Sequence, residues 1–538
     1  MSYFSFMDPI ALLAFISITG GIAVISWLQT RKEKLNTLSG LFFANRNLGF
    51  ITVGSGVLFA NINTALFIGE NELTFTNNMS VMAWGVTSVF AMLVVSEFIM
   101  PIYLRHEIAT TPDYLENRYD RKTKVIVSLI FLVNYIVNLL PSVLYSGAVA
   151  FNGIFRFSEI YKVDYWLVIW VLVWCLGIAG ALYSLLGGLK AISVSDTLLG
   201  FAMFTGGLLL PLYALCELGE GNLVSGWNMV TTYKTSHWNS IGGPADAIPF
   251  ATIFTGMLLV NLYYWGTEQY IVQQLLGSRD LASCQKGIAL ACVGKLLCPL
   301  LINIPGVIAV HLYSGMSNTA EVFPKLLGDA SPPFYTGFMA ALLFGAAFTT
   351  FNAGLNSSST LFMLNLYKPW ALKKGRKLSE TQLVRTAKRF EIILCLAAMF
   401  IAPFILFASR GFYTYVQTVG GLFSVPIFTI LVVGLLTRRV PPIAARIGLV
   451  FFICSYAIAE FVLEIKLHFL HVLAILFVLT AALMLLIGRL HPLSIPYQPN
   501  KAVKQELTPW KNRHWVALVL LLALVGMYVI FSPVGLAR

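Results

Sequence analysis

Apolar residues dominate this chain in long runs, and short polar breaks divide them. A membrane-crossing helix needs about 17–25 mostly apolar residues. Fourteen stretches meet that length: 9–29, 48–69, 80–104, 124–155, 165–186, 190–215, 249–276, 287–313, 334–363, 387–408, 413–436, 441–463, 468–488 and 514–532. Two of them carry polar residues in their middles, Phe59-Ala60-Asn61-Ile62-Asn63-Thr64 and Val260-Asn261-Leu262-Tyr263-Tyr264-Trp265-Gly266. Backbone groups left unpaired against lipid are costly, so interruptions of this kind persist only where they line a cavity. Paired interruptions at matching places in two halves of a chain mark a solute site near the bilayer midplane.

The second through eleventh stretches fall into two groups of five, each opened by a broken segment. An odd number of crossings gives the groups opposite orientations, the pattern of an inverted repeat. The expected architecture is an all-α integral membrane protein of about 14 transmembrane helices. A first repeat covers 48–215 and a second 249–436, with an accessory helix at 9–29 and accessory C-terminal helices over 441–532. The whole chain, 1–538, forms a single transmembrane transporter domain. The segment 216–248, with its Gly, Ser, Asn and Trp, is expected to form a small lid, and proline-bearing 489–513 an extended linker.

Composition agrees with this pattern. Of 538 residues, 58% are hydrophobic and 11% charged, against roughly 25% charged in soluble domains. The formal net charge of +12 would suit nucleic acid if it formed one basic face, but its distribution excludes that. Assigned to alternate sides of fourteen spans, with those near span ends counted in the adjoining loop, 28 Lys and Arg fall on one side and seven on the other, and Lys295 alone lies deep inside a span. Such a bias is the positive-inside rule. It places both termini outside and the basic loops in the cytoplasm. The first apolar stretch is followed by Arg31 and Lys32 rather than preceded by basic residues, so it is expected to be a retained span rather than a signal peptide.

Seven cysteines offer no pair on the outer side, so no structural disulfide is expected. His468 and His471 lack Cys or carboxylate company, so no metal is expected beyond an alkali ion. Nucleophile, metal-cluster and nucleotide motifs are not found near a membrane face, which argues against an enzyme. No obligate protein partner is implied; the lipid bilayer is the expected environment.

Unwinding at the first break frees carbonyls near Phe59 and Ile62, hard oxygen ligands suited to an alkali ion. The ninth span supplies Thr349 and Thr350 beside the Ala346 carbonyl, enough oxygens for a small cage. Helix packing is the competing explanation for hydroxyl and small residues at such positions. Lys295 lies well inside its span, where an ammonium costs at least ~2.5–3.5 kcal/mol. A paired or functional role is therefore expected, with Glu268 as the candidate partner. Glu268 equally suits a helix N-terminus. Asp196 reads as either a relay toward the cytoplasm or a cap, and Glu97 as interfacial. Tyr264, Trp265, Trp84 and Tyr413 are candidate aromatic gates, with the interfacial aromatic belt as the alternative.

These residues together resemble the sodium:solute symporter family, in the branch of sodium/galactose and sodium/glucose cotransporters and an enterobacterial member of that branch. The resemblance spans 9–532 and rests on Phe59–Ile62, Thr111-Pro112-Asp113-Tyr114-Leu115-Glu116-Asn117-Arg118-Tyr119, Tyr183 through Ala191, Asn261–Gly266, Gln285-Lys286-Gly287 and Leu355-Asn356-Ser357. It implies a five-plus-five fold of the leucine-transporter type and alternating access driven by sodium, with no other cofactor. The implied sodium site is the carbonyls of Phe59, Ile62 and Ala346 and the hydroxyls of Thr349 and Thr350, with Asp196 on the release path. Asn352 and Ala353 replace the hydroxyls of a second site, so one sodium is expected.

The implied solute site is Asn61, Ser88, Asn261, Tyr264, Lys295 and Gln417, with Trp84, Glu268 and Tyr413 as gate or tuning residues. It departs from the family at Leu66 and Gly85, where a glutamine and a glutamate are usual, and at Ala65 and Glu268, which exchange a carboxylate between the two breaks. The resemblance therefore implies a symporter for a sugar, polyol or sugar acid. The alternatives are a symporter for a non-sugar carboxylate, or a sodium-dependent sensor or leak pathway.

Overall fold

The computed structural model describes residues 8–30, 46–106, 108–316, 318–376, 378–408, 411–498 and 507–538, with backbone alone at 29–30 and 185–194. Much of the basic loop after the first span, and Arg410, lie outside the described residues. Among the described residues the secondary structure is helical apart from one isolated parallel bridge, Leu48 to Ser278.

The helices that position the site are α1 (Pro9–Thr30), α2 (Phe50–Asn61), α3 (Thr64–Thr76), α4 (Met79–Arg105), α5 (Arg121–Phe155) and α6 (Tyr165–Gly207). They continue with α7 (Gly256–Gly266), α8 (Gln269–Leu276), α9 (Leu281–Leu301), α10 (Pro333–Leu361) and α11 (Glu380–Ile401). Then follow α12 (Phe412–Leu436), α13 (Pro442–Ala457), α14 (Phe469–Leu490) and α15 (Arg513–Ile530).

Among the described residues, twelve helices are long and apolar enough to cross a membrane, or thirteen if α2 and α3, bent by 54° at their junction, count as one. The expected count of fourteen is not reached. The stretch 249–276 is divided among Phe250–Phe254, α7 and α8, each too short to be counted as a span. The stretches 165–186 and 190–215 share the helical run α6, yet Tyr183 Oη and Ser195 Oγ lie 2.8 Å apart. A straight helix would separate residues 183 and 195 by about 18 Å of rise, so α6 folds back on itself between them. The outer segment 216–248 carries the helix Leu223–Thr232 and a short turn of helix, Thr235–Trp238, so the lid is itself partly helical.

Polar side chains set the ends of these helices. Asn63 Oδ1 accepts from Leu66 N at 3.0 Å to start α3, Asp120 Oδ1 from Thr123 N at 2.8 Å to start α5, and Asp280 Oδ1 from Ser283 N at 2.6 Å to start α9. Each satisfies a backbone donor that the first turn would leave unpaired. Packing then depends on small residues, because lipid supplies no hydrophobic drive between helices. A Cβ on Gly54 of α2 would stand 2.6 Å from the Gly287 carbonyl of α9, so the two backbones approach as no larger residue allows. In this way α2 lies within a ring of α9, α6 and α10, and α10 is buried along most of its length.

Arg118 ends the short helix Thr111–Arg118 and reaches the carboxyl end of α12. Its guanidinium donates to the carbonyls of Gly434 at 2.9 Å, Thr437 at 3.0 Å and Val440 at 3.3 Å, and the side chain is buried. The planar fork of arginine serves three carbonyls at once. Arg118→Ala leaves them without donors, at roughly 1–3 kcal/mol for each buried group. The expected outcome is a drop in thermal stability of several degrees in detergent, partly retained by Arg118→Lys, as a melting curve would show.

Candidate functional site at the two broken helices

The first break falls where the sequence places it. Helix α2 ends at Asn61, Ile62 follows at φ −77 and ψ 80, and Asn63 is extended before α3 begins at Thr64. Asn63 N donates to Asn61 O at 2.9 Å instead of reaching back one full turn, which releases the Phe59 carbonyl from the helix ladder. Helix α10 approaches this gap. Thr349 Oγ1 lies 3.5 Å from Phe59 O and 3.1 Å from Ala346 O, and Thr350 Oγ1 donates to Ala60 O at 2.9 Å. Four of the five expected sodium-site residues thus stand at one junction of α2 and α10, with Ile62, buried, at the cap of α2. Thr350 meets the carbonyl of Ala60 rather than that of Ile62. Thr64 adds a tie that sequence reasoning missed, its hydroxyl donating to Leu343 O of α10 at 2.9 Å.

The donor set is carbonyl and hydroxyl oxygen without imidazole or thiolate, which suits a hard, weakly held monovalent cation. Asp196 is fully buried on α6, and neither carboxylate oxygen has a hydrogen-bond partner among the described residues. The next residue, Thr197, exchanges a 2.6 Å hydrogen bond with Ser55, one turn before Phe59 on α2. Asp196 therefore sits beside the same helix as the oxygen cage.

The second break is displaced from its expected place. Val260 through Gly266 are helical within α7, and the interruption comes at Thr267 and Glu268. The polar residues that mark this stretch pair sideways instead of breaking the helix: Asn261 Nδ2 donates to Thr87 Oγ1 at 3.1 Å. Gly266 ends the helix and Glu268 caps α8, its carboxylate accepting from Gln269 N at 3.1 Å.

Between the two breaks lies a cavity of about 160 Å³. Of the expected solute residues, Asn61, Asn261, Tyr264, Lys295 and Gln417 line it, together with Trp84, Tyr413 and Glu268. Ser88 is not among the lining residues; its hydroxyl donates to the Gly85 carbonyl of its own helix at 2.5 Å. Lys295, 1% exposed, donates to Asn61 Oδ1 at 2.7 Å. The expected Lys295–Glu268 pairing is not formed. Glu268 instead accepts from the hydroxyls of Tyr135 and Tyr263, the latter at 2.7 Å. Both carboxylate oxygens are thus engaged by donors other than the lysine.

Aromatic rings close the cavity. Tyr264 and Tyr270 share a 2.5 Å contact between their hydroxyls, and Trp84 meets Tyr413 edge to face at 6.2 Å and stacks on Phe469 at 6.5 Å. Trp265 lies against Tyr264, ring centroids 5.2 Å apart. Sequence reasoning missed a polar wall on α5, where Asn134, Asn138 and Ser142 line the cavity at four-residue spacing. Three polar residues recurring every turn in an otherwise apolar span were the available signal. Leu66 lines the cavity, and at Gly85 an added Cβ would stand 3.9 Å from Lys295 Cε, so the lysine occupies the neighbourhood a longer side chain would take.

The ring of Phe59 occupies the space beside Gly200 of α6, where an added Cβ would collide with it. Gly200→Val is therefore expected to push α2 at Phe59 and disturb the oxygen cage. It should reduce sodium-dependent thermal stabilisation more than it reduces stability in choline, which paired melting curves would check.

Discontinuous helices facing one another around a midplane cavity define a secondary transporter. A model of the sodium:solute symporter family matches residues 41–451, and the chain belongs to that family. It is 36% identical over 529 residues to an uncharacterised symporter, YidK, of Escherichia coli strain K12, covering 98% of this chain and 92% of that one. It is 26% identical over 471 residues to a sodium/glucose cotransporter of Vibrio parahaemolyticus, covering 83% of each. It is also 26% identical over 465 residues to human sodium/myo-inositol cotransporter 2, covering 80% of this chain and 66% of that one. A sodium-coupled sialic acid symporter in its substrate-bound outward-open state superposes with a TM-score of 0.77 at 17% identity, over 92% of this chain and 100% of that one. The fold is thus of the leucine-transporter type. The protein is a multi-pass membrane transporter, not an enzyme, and couples solute movement to sodium.

Proposed function

We propose that this protein imports a small polyhydroxylated solute, a sugar, polyol or sugar acid, together with sodium across a bacterial inner membrane, with both termini outside. The observation that carries the reading is one junction: the cavity holding Asn61, Asn261, Tyr264, Lys295 and Gln417 adjoins, through Asn61 on α2, the carbonyl of Phe59 and the hydroxyl of Thr349. The glucose and myo-inositol cotransporters among the relatives support the solute class.

In this reading sodium binds first, to Phe59, Ile62, Ala346, Thr349 and Thr350, and draws α2 against α10. That fixes Asn61, and through it the Lys295 ammonium, in position for hydroxyl groups. Solute then settles among Lys295, Asn261 and Gln417, with Trp84 and Tyr413 over it and Tyr264 beneath. Loss of sodium past Asp196 frees α2, and Tyr264 swings away to release solute inside. The two five-helix repeats, 48–215 and 249–436, move against each other about this site. At 100 mV a single sodium contributes about 2.3 kcal/mol and a tenfold gradient about 1.4 kcal/mol. One-to-one coupling therefore sustains an accumulation of several hundredfold.

Two measurements test the proposal. Purified protein is melted with sugars, polyols and sugar acids in sodium and in choline, and any stabilising compound is then followed into proteoliposomes under an inward sodium gradient. Accumulation that needs sodium supports symport. A compound that binds but equilibrates without accumulating would establish a sensor or leak instead, and accumulation that survives without sodium but collapses with a protonophore would establish proton coupling.

A further inference from the structure

Two of the motifs that carry the family resemblance, Thr111 through Tyr119 and Leu355-Asn356-Ser357, belong neither to the cavity lining nor to the oxygen cage. Both converge on α8, the short helix that follows the second break. Thr111 is the first residue of its own helix, so its N–H has no partner within that turn. It donates to Gln269 Oε1 at 3.0 Å, and the Thr111 hydroxyl donates to the Thr267 carbonyl, at the break itself, at 2.8 Å. One turn along α8, Gln273 accepts from Ser357 Oγ at 2.7 Å and donates through Nε2 to Thr360 Oγ1 at 3.0 Å, both on α10. Thr111, Thr267, Gln269 and Gln273 are all buried. The loop side is firmly held: Asp113 Oδ2 accepts from Thr110 N at 2.8 Å, and Lys124 of α5 pairs with Asp113 at 2.7 Å and with Glu116 at 2.6 Å. The next residue of α8, Tyr270, meets the hydroxyl of Tyr264, so whatever fixes α8 also pins Tyr264. Thr267 Oγ1 stays buried without a hydrogen-bond partner among the described residues, so the break is not fully satisfied while α8 is clamped.

Resting on the release step proposed above, we infer that Thr111 and Gln273 hold the cytoplasmic gate: they clamp α8 from two sides, and Tyr264 frees the solute once both clamps part. Helix α8 leads into Arg279 and Lys286, on the side that the positive-inside rule assigns to the cytoplasm. Neutral hydrogen bonds suit such a gate, because each has a small net value and water entering an opened mouth replaces the lost partner. Removing the Thr111 hydroxyl leaves the Thr267 carbonyl without its donor while the gate is shut, and costs nothing once that carbonyl is wet. The closed state alone is weakened. Thr111 and Gln273 act through α8 and Tyr264 rather than by touching solute, and are positioning residues.

The test reads the width of the cytoplasmic mouth with sodium or choline as the salt. The accessible cysteines are replaced (Cys175→Ser, Cys216→Ser and Cys454→Ser), and spin labels are attached at Lys122→Cys on α5 and Arg279→Cys beyond α8, both exposed positions. Double electron–electron resonance on the full chain then gives the distance distribution. With the native residues at the clamps, sodium is expected to favour one short distance and choline to add a longer one. Thr111→Val is expected to raise the long-distance share in sodium by roughly two- to tenfold, whereas Thr111→Ser, which keeps the hydroxyl, matches the parent. Gln273→Met loosens the other clamp, gives the same shift, and stands in should Thr111→Val fail to fold. Folded Thr111→Val and Gln273→Met proteins with the parent's distances in sodium overturn the clamps alone, as does an equal shift in Thr111→Ser. A parent whose distances are the same in sodium and choline overturns the sodium-controlled release step, and this inference with it.

Discussion

Thr349→Ala is expected to abolish the sodium-dependent rise in melting temperature while leaving stability in choline nearly unchanged. The hydroxyl of Thr349 lies between two carbonyls, 3.5 Å from Phe59 O and 3.1 Å from Ala346 O, and so belongs to both helices that a bound sodium would join. An ion held by about five neutral oxygens loses one of them outright in the variant. Even a tenfold weakening corresponds to about 1.4 kcal/mol, and the sodium needed for half-maximal uptake should rise by at least about that factor. Thr349→Ser restores the oxygen and should restore the response. In choline the variant loses a hydroxyl whose shorter bond, 3.1 Å, turns back to its own helix and whose reach to Phe59 O is long at 3.5 Å, contacts of small net value. A Thr349→Ala protein whose sodium response matches wild type would sink the proposed ion site.

This test exists because the first break was legible. Asn61, Asn63 and Thr64 interrupt an apolar run, and the chain has little choice there: Asn63 caps the next helix with its own side chain. The second break was only partly legible. Asn261 and the aromatic residues around it look like an interruption in one dimension. A membrane helix tolerates an asparagine whose amide finds a partner on another helix, here Thr87. The break itself needs a helix end and a new cap, which Gly266 and Glu268 provide.

Partnerships across the fold were less legible still. Lys295 and Glu268 lie 27 positions apart, and each lines the cavity, so pairing them was reasonable. Which side chain each meets depends on helices far away in sequence: Asn61 of α2 for the lysine, Tyr135 of α5 for the glutamate. Ser88 teaches the same lesson at shorter range. Its position agrees with the family pattern, but its hydroxyl turns to the carbonyl three residues back, a local alternative always open to serine in a helix. The α5 polar wall went unnoticed because each of its residues is a modest polar one in a long apolar span. Their meaning appears only when α3, α5, α9 and α12 enclose one volume.

Lys295→Met is the change expected to cost transport most. Among the described residues that line the cavity the ammonium is the one cationic donor, and hydrogen bonds to charged groups contribute about 1.5–3 kcal/mol each, so solute uptake at sub-saturating concentration should fall by roughly tenfold to more than a hundredfold. An amphipathic lysine buried among helices also has a structural account to answer, because removing it takes the donor from Asn61 Oδ1, 2.7 Å away. Melting temperature should therefore fall in Lys295→Met, by the equivalent of roughly 1–3 kcal/mol for the groups left unpaired. Adding Asn61→Leu removes the acceptor left unpaired and should recover part of that stability. The two changes then fail to add, as expected for residues that share an interaction. Uptake should stay lost in the double variant, since no restored packing returns a donor to the cavity. Recovery of stability without recovery of uptake separates the two duties of Lys295, whereas uptake at wild-type rates in either variant would show that the solute binds elsewhere.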